Sequence, residues 1–344
     1  MRFELRLART GGRGRLRAMK IVVTRRVADE YGARIREADP DAELIIADLG
    51  ADGAAAWSGD VATAEACCFS EDLWQEEELR RAVLPAVFGL RGLRWFHTFS
   101  AGVDSPAFQA LIDRGTILTN SSGASAPSIA QYVLAMMLYR TKRIDEWRAQ
   151  QAAREWRQLR TGELTGQTVG IIGTGAIGGE VARLAQAFGM HVIGARRSPK
   201  KTRYVDQQVP PERLRELLAA SDFVVLACPL TKETEGLIDE RELRAMKPTA
   251  TLINIARGKV VREAALVRAL KEGWIAGACL DVFEREPLPA DSELWSLPNV
   301  VVTPHNSGFS PLQMERQMAI FIDNLGRLVA GRPLRNRVLR AGGG

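Results

Sequence analysis

The chain has 344 residues, 46% hydrophobic and 26% charged, enough for two domains with their own cores and too apolar for a disordered chain. Its formal charge of +6 invites a nucleic-acid partner, but six arginines and one glutamate between residues 1 and 18 carry +5 of it. The nearly neutral remainder lacks the electrostatic footprint that a phosphate backbone requires, so no nucleic acid is expected.

The leader, residues 1–18, holds no apolar run of the roughly 7–15 residues that a secretory signal needs. Met19 reads as the natural start, because "MKIVVTRR" opens a strand at once, and the leader as a disordered extension. The runs "KIVVT", "ELIIADL", "EACCFS", "RWFHTFS" and "TILTN" then read as strands, with helical candidates such as "EELRRAVLPAVF" between some of them. This is the pattern of a smaller, flavodoxin-like α/β domain. Trp57, Phe69 and Trp74 in this part are candidates to line a substrate opening. His97 reads as structural. The stretch "SAPSIAQYVLAMMLYRTKRIDEWRAQQAAREW" has one long helical pattern. Its most apolar part is interrupted by Gln131 and falls short of the about 18 apolar residues a membrane span needs, so no membrane is expected. Trp147 and Trp156 read as dimer contacts or core rather than as a base-stacking platform.

Residues 168–304 alternate more cleanly. "TVGII", "HVIGA", "FVVLA", "TLINI", "AGACLDV" and "VVVT" are short apolar runs separated by segments mostly of helical length. Continuous apolar strands alternating with helices indicate a parallel sheet covered on both faces, and these six fit a doubly wound, Rossmann-type dinucleotide-binding domain. The tail "SPLQMERQMAIFIDNLGRLVAG" reads as a final helix, whose domain the pattern does not reveal. Cys67, Cys68, Cys228 and Cys279 all lie in apolar runs outside any CxxC pair, as buried thiols in a reducing cytoplasm would. With only two further histidines, His191 and His305, a histidine-rich metal centre is excluded and no metal is expected.

The turn after "TVGII" runs Gly173, Thr174, Gly175, Ala176, Ile177, Gly178. Here Gly173 permits the tight turn, Gly175 lets backbone approach a pyrophosphate, and Gly178 lets helix pack on strand; the helix N-terminus then faces the phosphates. Ile177, Val181, Leu184, Ala185 and Phe188 repeat at helical spacing on one face. At the end of the next strand, an acid would hold the ribose hydroxyls of NAD. Instead Arg196, Arg197 and Ser198 stand there, a set suited to gripping a 2′-phosphate, so NADP is the expected cofactor, with NAD as the second candidate.

Three further strands end in polar groups: "LINIARGKVV" in Arg257, "LDVFEREPLP" in Asp281 and Glu286, and "VVVTPHNSG" in His305. Ligands bind outside the carboxyl ends of such sheets, so these groups can converge. In this order the motifs resemble the D-isomer-specific 2-hydroxyacid dehydrogenase family over nearly the whole chain after Met19. The resemblance implies a discontinuous substrate domain, residues 1–122 with 312–344, around a dinucleotide-binding domain, 123–311, and a homodimer. It implies that Arg257 binds the substrate carboxylate and carbonyl oxygen, that His305 is the acid/base, and that Glu286 pairs with it, its spacing from Asp281 favouring it over the competitor Glu284. Asp281 and Ala256 would lie on the cofactor side, with Cys228 and Pro229 of "ACPLT" in the family's cofactor loop. Ser100, Ala101 and Gly102 of "SAGVD" would offer backbone N–H groups to the substrate carboxylate. Gln131 departs from the Glu more usual there.

The residue types suit the reduction of a small 2-keto acid. Imidazolium at His305 can give a proton to the carbonyl oxygen, a carboxylate at Glu286 favours the charged ring, and Arg257 stabilises charge developing on oxygen. By resemblance, glyoxylate and hydroxypyruvate are the favoured substrates. Phosphoglycerate and phosphite dehydrogenases are alternatives within the family. The formate enzymes carry Gln where Glu286 stands, which argues against that activity. A nucleotide-sensing, corepressor-like binding protein is the alternative from another class.

Overall fold

A computed structural model describes residues 18–103, 105–198 and 201–339, so the reading of the leader lies, but for Ala18, outside the described residues. The chain divides into two compact units. One runs to Ser121 and resumes at Met314; the other is Ser122–Gln313.

The first unit is built on β1 (Lys20–Thr24), β2 (Glu43–Leu49), β3 (Ala55–Trp57), β4 (Ala66–Phe69), β5 (Trp95–Thr98) and β6 (Ile117–Asn120), in the order β3-β2-β1-β4-β5-β6. All pairs are parallel except β2 with β3. The antiparallel β3 escapes the sequence pattern because "AAW" is three residues with no apolar alternation to read. Between the strands lie α1 (Arg25–Ala38), α2 (Glu71–Gln75), α3 (Glu77–Gly89) and α4 (Pro106–Asp113). Thr24 ends β1 and caps α1, its Oγ1 accepting from the Val27 amide at 3.2 Å. The inner strands β1, β4 and β5 are buried along nearly their whole length because both faces are covered. Ile21, Val23, Cys68 and Trp95 pack with Val27, Tyr31 and Ile35 of α1, while Val22, Cys67 and Phe96 pack with Leu79, Val83 and Val87 of α3.

In the second unit, α5 (Ala126–Thr141) and α6 (Ile144–Ala153) replace the single long helix read from the sequence. Arg143 breaks it with a left-handed backbone, φ 55°. The returning chain closes that end, with the Gly162 amide donating to the Thr141 carbonyl at 3.1 Å and Lys142 Nζ to the Gly162 carbonyl at 2.8 Å. No Gly or Pro marks the break, so the periodicity runs straight through it. Trp156 lies past α6 and is 99% exposed. The strands β7 (Thr168–Ile172), β8 (His191–Ala195), β9 (Gln207–Val209), β10 (Phe223–Leu226), β11 (Thr251–Asn254), β12 (Gly277–Leu280) and β13 (Val300–Val302) form one parallel sheet, β13-β12-β11-β10-β7-β8-β9. That is seven strands where six were read; the short, polar β9 was missed. The helices are α7 (Ala176–Ala187), α8 (Leu214–Ala220), α9 (Glu240–Leu243) and α10 (Glu263–Lys271). On α7, Val181 and Ala185 are buried as the spacing requires, but Phe188 falls past the helix end and is exposed. The strand order reverses between β7 and β10, which opens a crevice outside their carboxyl ends.

The last helix, α11 (Gln313–Val329), returns to the first unit. Its Phe321 stacks on Trp95, centroids 4.9 Å apart and planes 10° off parallel, and both rings are fully buried. Such a pair adds about 0.5–1.5 kcal/mol beyond the area it buries.

Candidate active site

The glycine turn forms where β7 meets α7. Gly173 has φ +99°, and a Cβ there would lie 2.6 Å from the backbone of Ala227 and Cys228. Only glycine allows the two loops to cross this closely. A side chain at Gly178 would collide with the Gly173 carbonyl, whereas one at Gly175 would meet nothing within 4 Å. Gly175 stands at the N-cap of α7 without a capping side chain, so the first turn presents Ala176 and Ile177 backbone toward open space. That arrangement fits a dinucleotide pyrophosphate. Cys228, across the crossing, is buried, and burial pushes its thiol up to about 11, which keeps it an uncharged wall. Pro229 is exposed.

Arg196 follows β8 and is tied to the glycine turn: its Nη1 donates to Thr202 Oγ1 at 3.2 Å, and Thr202 shares a 2.9 Å hydrogen bond with Thr174. Arg197 and Ser198 are exposed, and Arg197 is close enough to Glu233 for its charge to help hold that carboxyl below its ordinary range, after hydrogen bonds from Thr231 and the backbone.

Arg257 leaves the end of β11. Asn254, 1% exposed, shapes its loop: the side-chain amide donates to the Arg257 carbonyl at 3.1 Å and the side-chain oxygen accepts from the Ala256 amide at 3.1 Å. Gly258 then lies against the Phe283–Glu284 backbone, where any side chain would collide. Two loops of the candidate site are thereby pressed together. Glu286 faces His305, with Nδ1 donating to Oε2 at 2.7 Å, and its other oxygen accepts from the Phe283 amide at 3.0 Å. Burial would push this carboxyl up, but the bonds from His305 and Phe283 and the charges of His305 and Arg257 outweigh it and hold it low. Arg257, Glu286 and His305 thus share one electrostatic neighbourhood. Glu284 instead accepts from the Glu263 amide at 3.0 Å, away from the histidine.

The 1%-exposed Asp281 is used within the chain: Oδ1 accepts from Thr303 Oγ1 at 2.6 Å, and both oxygens accept from the Ser307 amide, at 3.2 and 3.1 Å. Asn254, Thr303 and Ser307 were missed in the sequence. The available signal was an amide or hydroxyl where an apolar strand ends.

In the first unit, Ser100, Ala101 and Gly102 follow β5. The Ser100 amide donates to Thr98 Oγ1 at 3.4 Å, Ser100 Oγ to the Gly102 carbonyl at 2.7 Å, and Asn120 to the Ala101 carbonyl at 2.8 Å. Asp104 lies outside the described residues. His97 is 1% exposed between Thr119 and Ser121. The exposed His191 faces Asp206 at 3.4 Å. Phe69 is core, edge-on to Trp74 and Phe99, and Trp57 packs partly buried on that core. Among the described residues no group of His, Cys, Asp and Glu could hold a metal, and no helix is long and apolar enough to cross a membrane.

The D-isomer specific 2-hydroxyacid dehydrogenase NAD-binding domain family matches residues 134–307. A glyoxylate reductase of Thermococcus gammatolerans is 43% identical over 222 residues, covering 62% of this chain and 66% of its own length. One of Aeropyrum pernix is 38% identical over 261 residues, covering 72% and 77%. Among solved structures, a D-isomer specific 2-hydroxyacid dehydrogenase family protein from Aeromonas salmonicida matches with TM-score 0.79 and 31% identity over 94% of this chain and 99% of its own. An NADPH-dependent glyoxylate/hydroxypyruvate reductase from Sinorhizobium meliloti, in complex with NADP and sulfate, matches with TM-score 0.77 and 26% identity over 94% and 99%. With its two largely parallel sheets, glycine turn and ordered strand-end motifs, this chain belongs to the D-isomer-specific 2-hydroxyacid dehydrogenase family.

Proposed function

We propose that the protein reduces a small 2-keto acid, glyoxylate or hydroxypyruvate first, to the D-2-hydroxy acid with NADPH. The carrying observation is the 2.7 Å His305–Glu286 pair with the Arg257 charge on the same carboxylate. The bound nicotinamide supplies the hydride. Since Nδ1 is committed to Glu286, His305 delivers its proton to the carbonyl oxygen from Nε2, and the low carboxyl of Glu286 holds the imidazolium in place. Arg257 takes the substrate carboxylate with its planar fork and stabilises the charge growing on oxygen. In the first unit, the backbone of Ser100–Gly102 is a further proposed hold for a carboxylate.

Gly173, Thr174, Gly175, Ala176, Ile177 and Gly178 would cradle the pyrophosphate, with Cys228, Pro229 and Ala256 along the cofactor. Arg196, preset by Thr202, and Arg197 with Ser198 would grip the 2′-phosphate. The exposed Trp147 and Trp156 are read as contacts of a homodimer.

Turnover of glyoxylate, hydroxypyruvate and pyruvate with NADPH and NADH tests the reading. Replacing Arg196 and Arg197 by Gln should raise the KM for NADPH by roughly 10–100-fold, the range of a lost charged hydrogen bond or two, and leave NADH nearly unchanged. Equal losses for both cofactors would sink the 2′-phosphate assignment. Tight nicotinamide binding with no 2-keto acid ever reduced would favour the sensor.

A further inference from the structure

His305 has a left-handed backbone, φ 51°, a region uncommon for any residue but glycine, although histidine enters it more often than most. Something must hold it there, and the hydrogen bonds on either side of it lead to one carboxylate. Ahead of the histidine, Thr303 Oγ1 donates to Asp281 Oδ1 at 2.6 Å. Behind it, the Asn306 amide donates to Oδ1 at 3.0 Å and Ser307 Oγ to Oδ2 at 2.5 Å, alongside the two contacts of the Ser307 amide. The five-residue loop 303–307 is therefore folded around a single buried acid.

A second layer stands behind the first. Tyr132, on α5, has its hydroxyl 2.9 Å from Thr303 Oγ1. A carboxylate only accepts, so the Thr303 proton goes to Asp281 and the phenol donates to the threonine oxygen. Ser128, one turn earlier on α5, donates to the Ser307 carbonyl at 3.0 Å. The helix thus braces both ends of the loop.

We propose that Asp281, relayed through Thr303 to Tyr132, is the positioning residue that sets the left-handed turn at His305 and so aims the imidazole at Glu286. That role is separable from contact with the cofactor and does not exclude it. The catalytic consequence rests on the function proposed above, but the positioning does not.

The chain's three histidines make a direct readout simple. Histidine ring resonances of the holoprotein would be recorded by NMR and assigned with His97→Gln, His191→Gln and His305→Asn. In Glu286→Gln the His305 ring loses its carboxylate partner, and its shifts define the unpaired position. Tyr132→Phe should move the His305 signal partway toward that position, and Asp281→Asn nearly all the way, while His97 and His191 stay put. Misplacement of a reacting group by about 1 Å costs on the order of 10²-fold, so Asp281→Asn should lower kcat that far with a much smaller change in the KM for NADPH. Tyr132→Phe should cost roughly 3–10-fold, the range of one neutral hydrogen bond. An unmoved His305 signal in folded Tyr132→Phe overturns the proposal, even if Asp281→Asn fails to fold. Unmoved signals with a raised KM for NADPH overturn it too, in favour of a cofactor contact. Failure of the wild type to reduce any 2-keto acid sinks the proposed function and leaves the NMR test intact.

Discussion

The carboxyl edges of the two sheets satisfy their buried acids to different extents. At the edge of the seven-stranded sheet, Asp281 binds the loop of His305 through both oxygens, and Glu286 is bonded to His305 and to the Phe283 amide. At the edge of the six-stranded sheet, Glu71 and Asp72 are 7% and 6% exposed and each uses one oxygen only: Asp72 Oδ2 accepts from Thr24 Oγ1 at 2.6 Å and Glu71 Oε1 from Gln75 Nε2 at 3.1 Å, while Glu71 Oε2, Asp72 Oδ1 and the neighbouring Ser70 Oγ make no hydrogen bond among the described residues. Burial accordingly pushes the Glu71 carboxyl up, whereas hydrogen bonds and nearby charges hold Glu286 low. The first edge is organised in advance for charge; at the second, burial works against the charged form of Glu71. On the function proposed, chemistry that develops charge belongs at the first.

The sharpest way to break that contrast is His305→Asn. If the preset edge carries the proton transfer, kcat with NADPH and glyoxylate falls by roughly 10²–10⁴-fold. Turnover like the wild type would remove His305 from the chemistry. The fold should survive, because the ring is about half exposed.

Much of this edge was legible beforehand, because strand ends and glycine spacing are local patterns. Arg257, Glu286 and His305 each follow an apolar run that had to be a strand. The choice of Glu286 over Glu284 rested on spacing, and the structure gives the two acids different partners, His305 and the Glu263 amide. What supports these residues was not legible. Tyr132 and Thr303 are 171 positions apart, and Ser128 lies 179 positions from the Ser307 carbonyl it bonds. Pairings at that separation leave no local periodicity. Nor does a one-residue left-handed break such as Arg143, which lets two helices read as one.

Packing offers a second, smaller contrast, with one glycine from each unit. At Gly258 a side chain runs into the Phe283–Glu284 backbone; at Gly89, ending α3, it meets nothing within 4 Å. Gly258→Ala should cost on the order of 1–3 kcal/mol as overpacking and should lower activity with it, since the loop carries Arg257. Gly89→Ala should instead stabilise by about 0.4–1 kcal/mol, through a less free unfolded chain. Urea denaturation with parallel rate measurements separates them. Equal effects would mean that the Gly258 loop yields without consequence.

The gentlest probe is the pH dependence of the first unit, and it turns on His97. This ring is 1% exposed, hydrogen-bonded to Thr119 at 2.8 Å and Ser121 at 3.0 Å, and burial lowers its pKa from 6.5 to about 3. The folded chain therefore keeps it neutral where the unfolded chain takes a proton. That difference opens at about pH 6.5 and stays open down to about 3, so the stability His97 contributes is present above 6.5 and lost on acidification, by up to about 1.4 kcal/mol per pH unit. Glu71 acts in the other sense: with its pKa raised from 4.5, it favours the folded state below its unfolded value and loses that contribution as pH rises through the folded one. Glu286, held low, contributes above 4.5 and matters only in more acid solution. Between about pH 6.5 and 5, His97→Gln, whose amide can still meet both hydroxyls, should flatten the acid slope of the urea midpoint relative to the wild type while lowering stability at pH 7.5. Parallel slopes for the variant and the wild type would show that the buried ring is not what makes the first unit acid-sensitive.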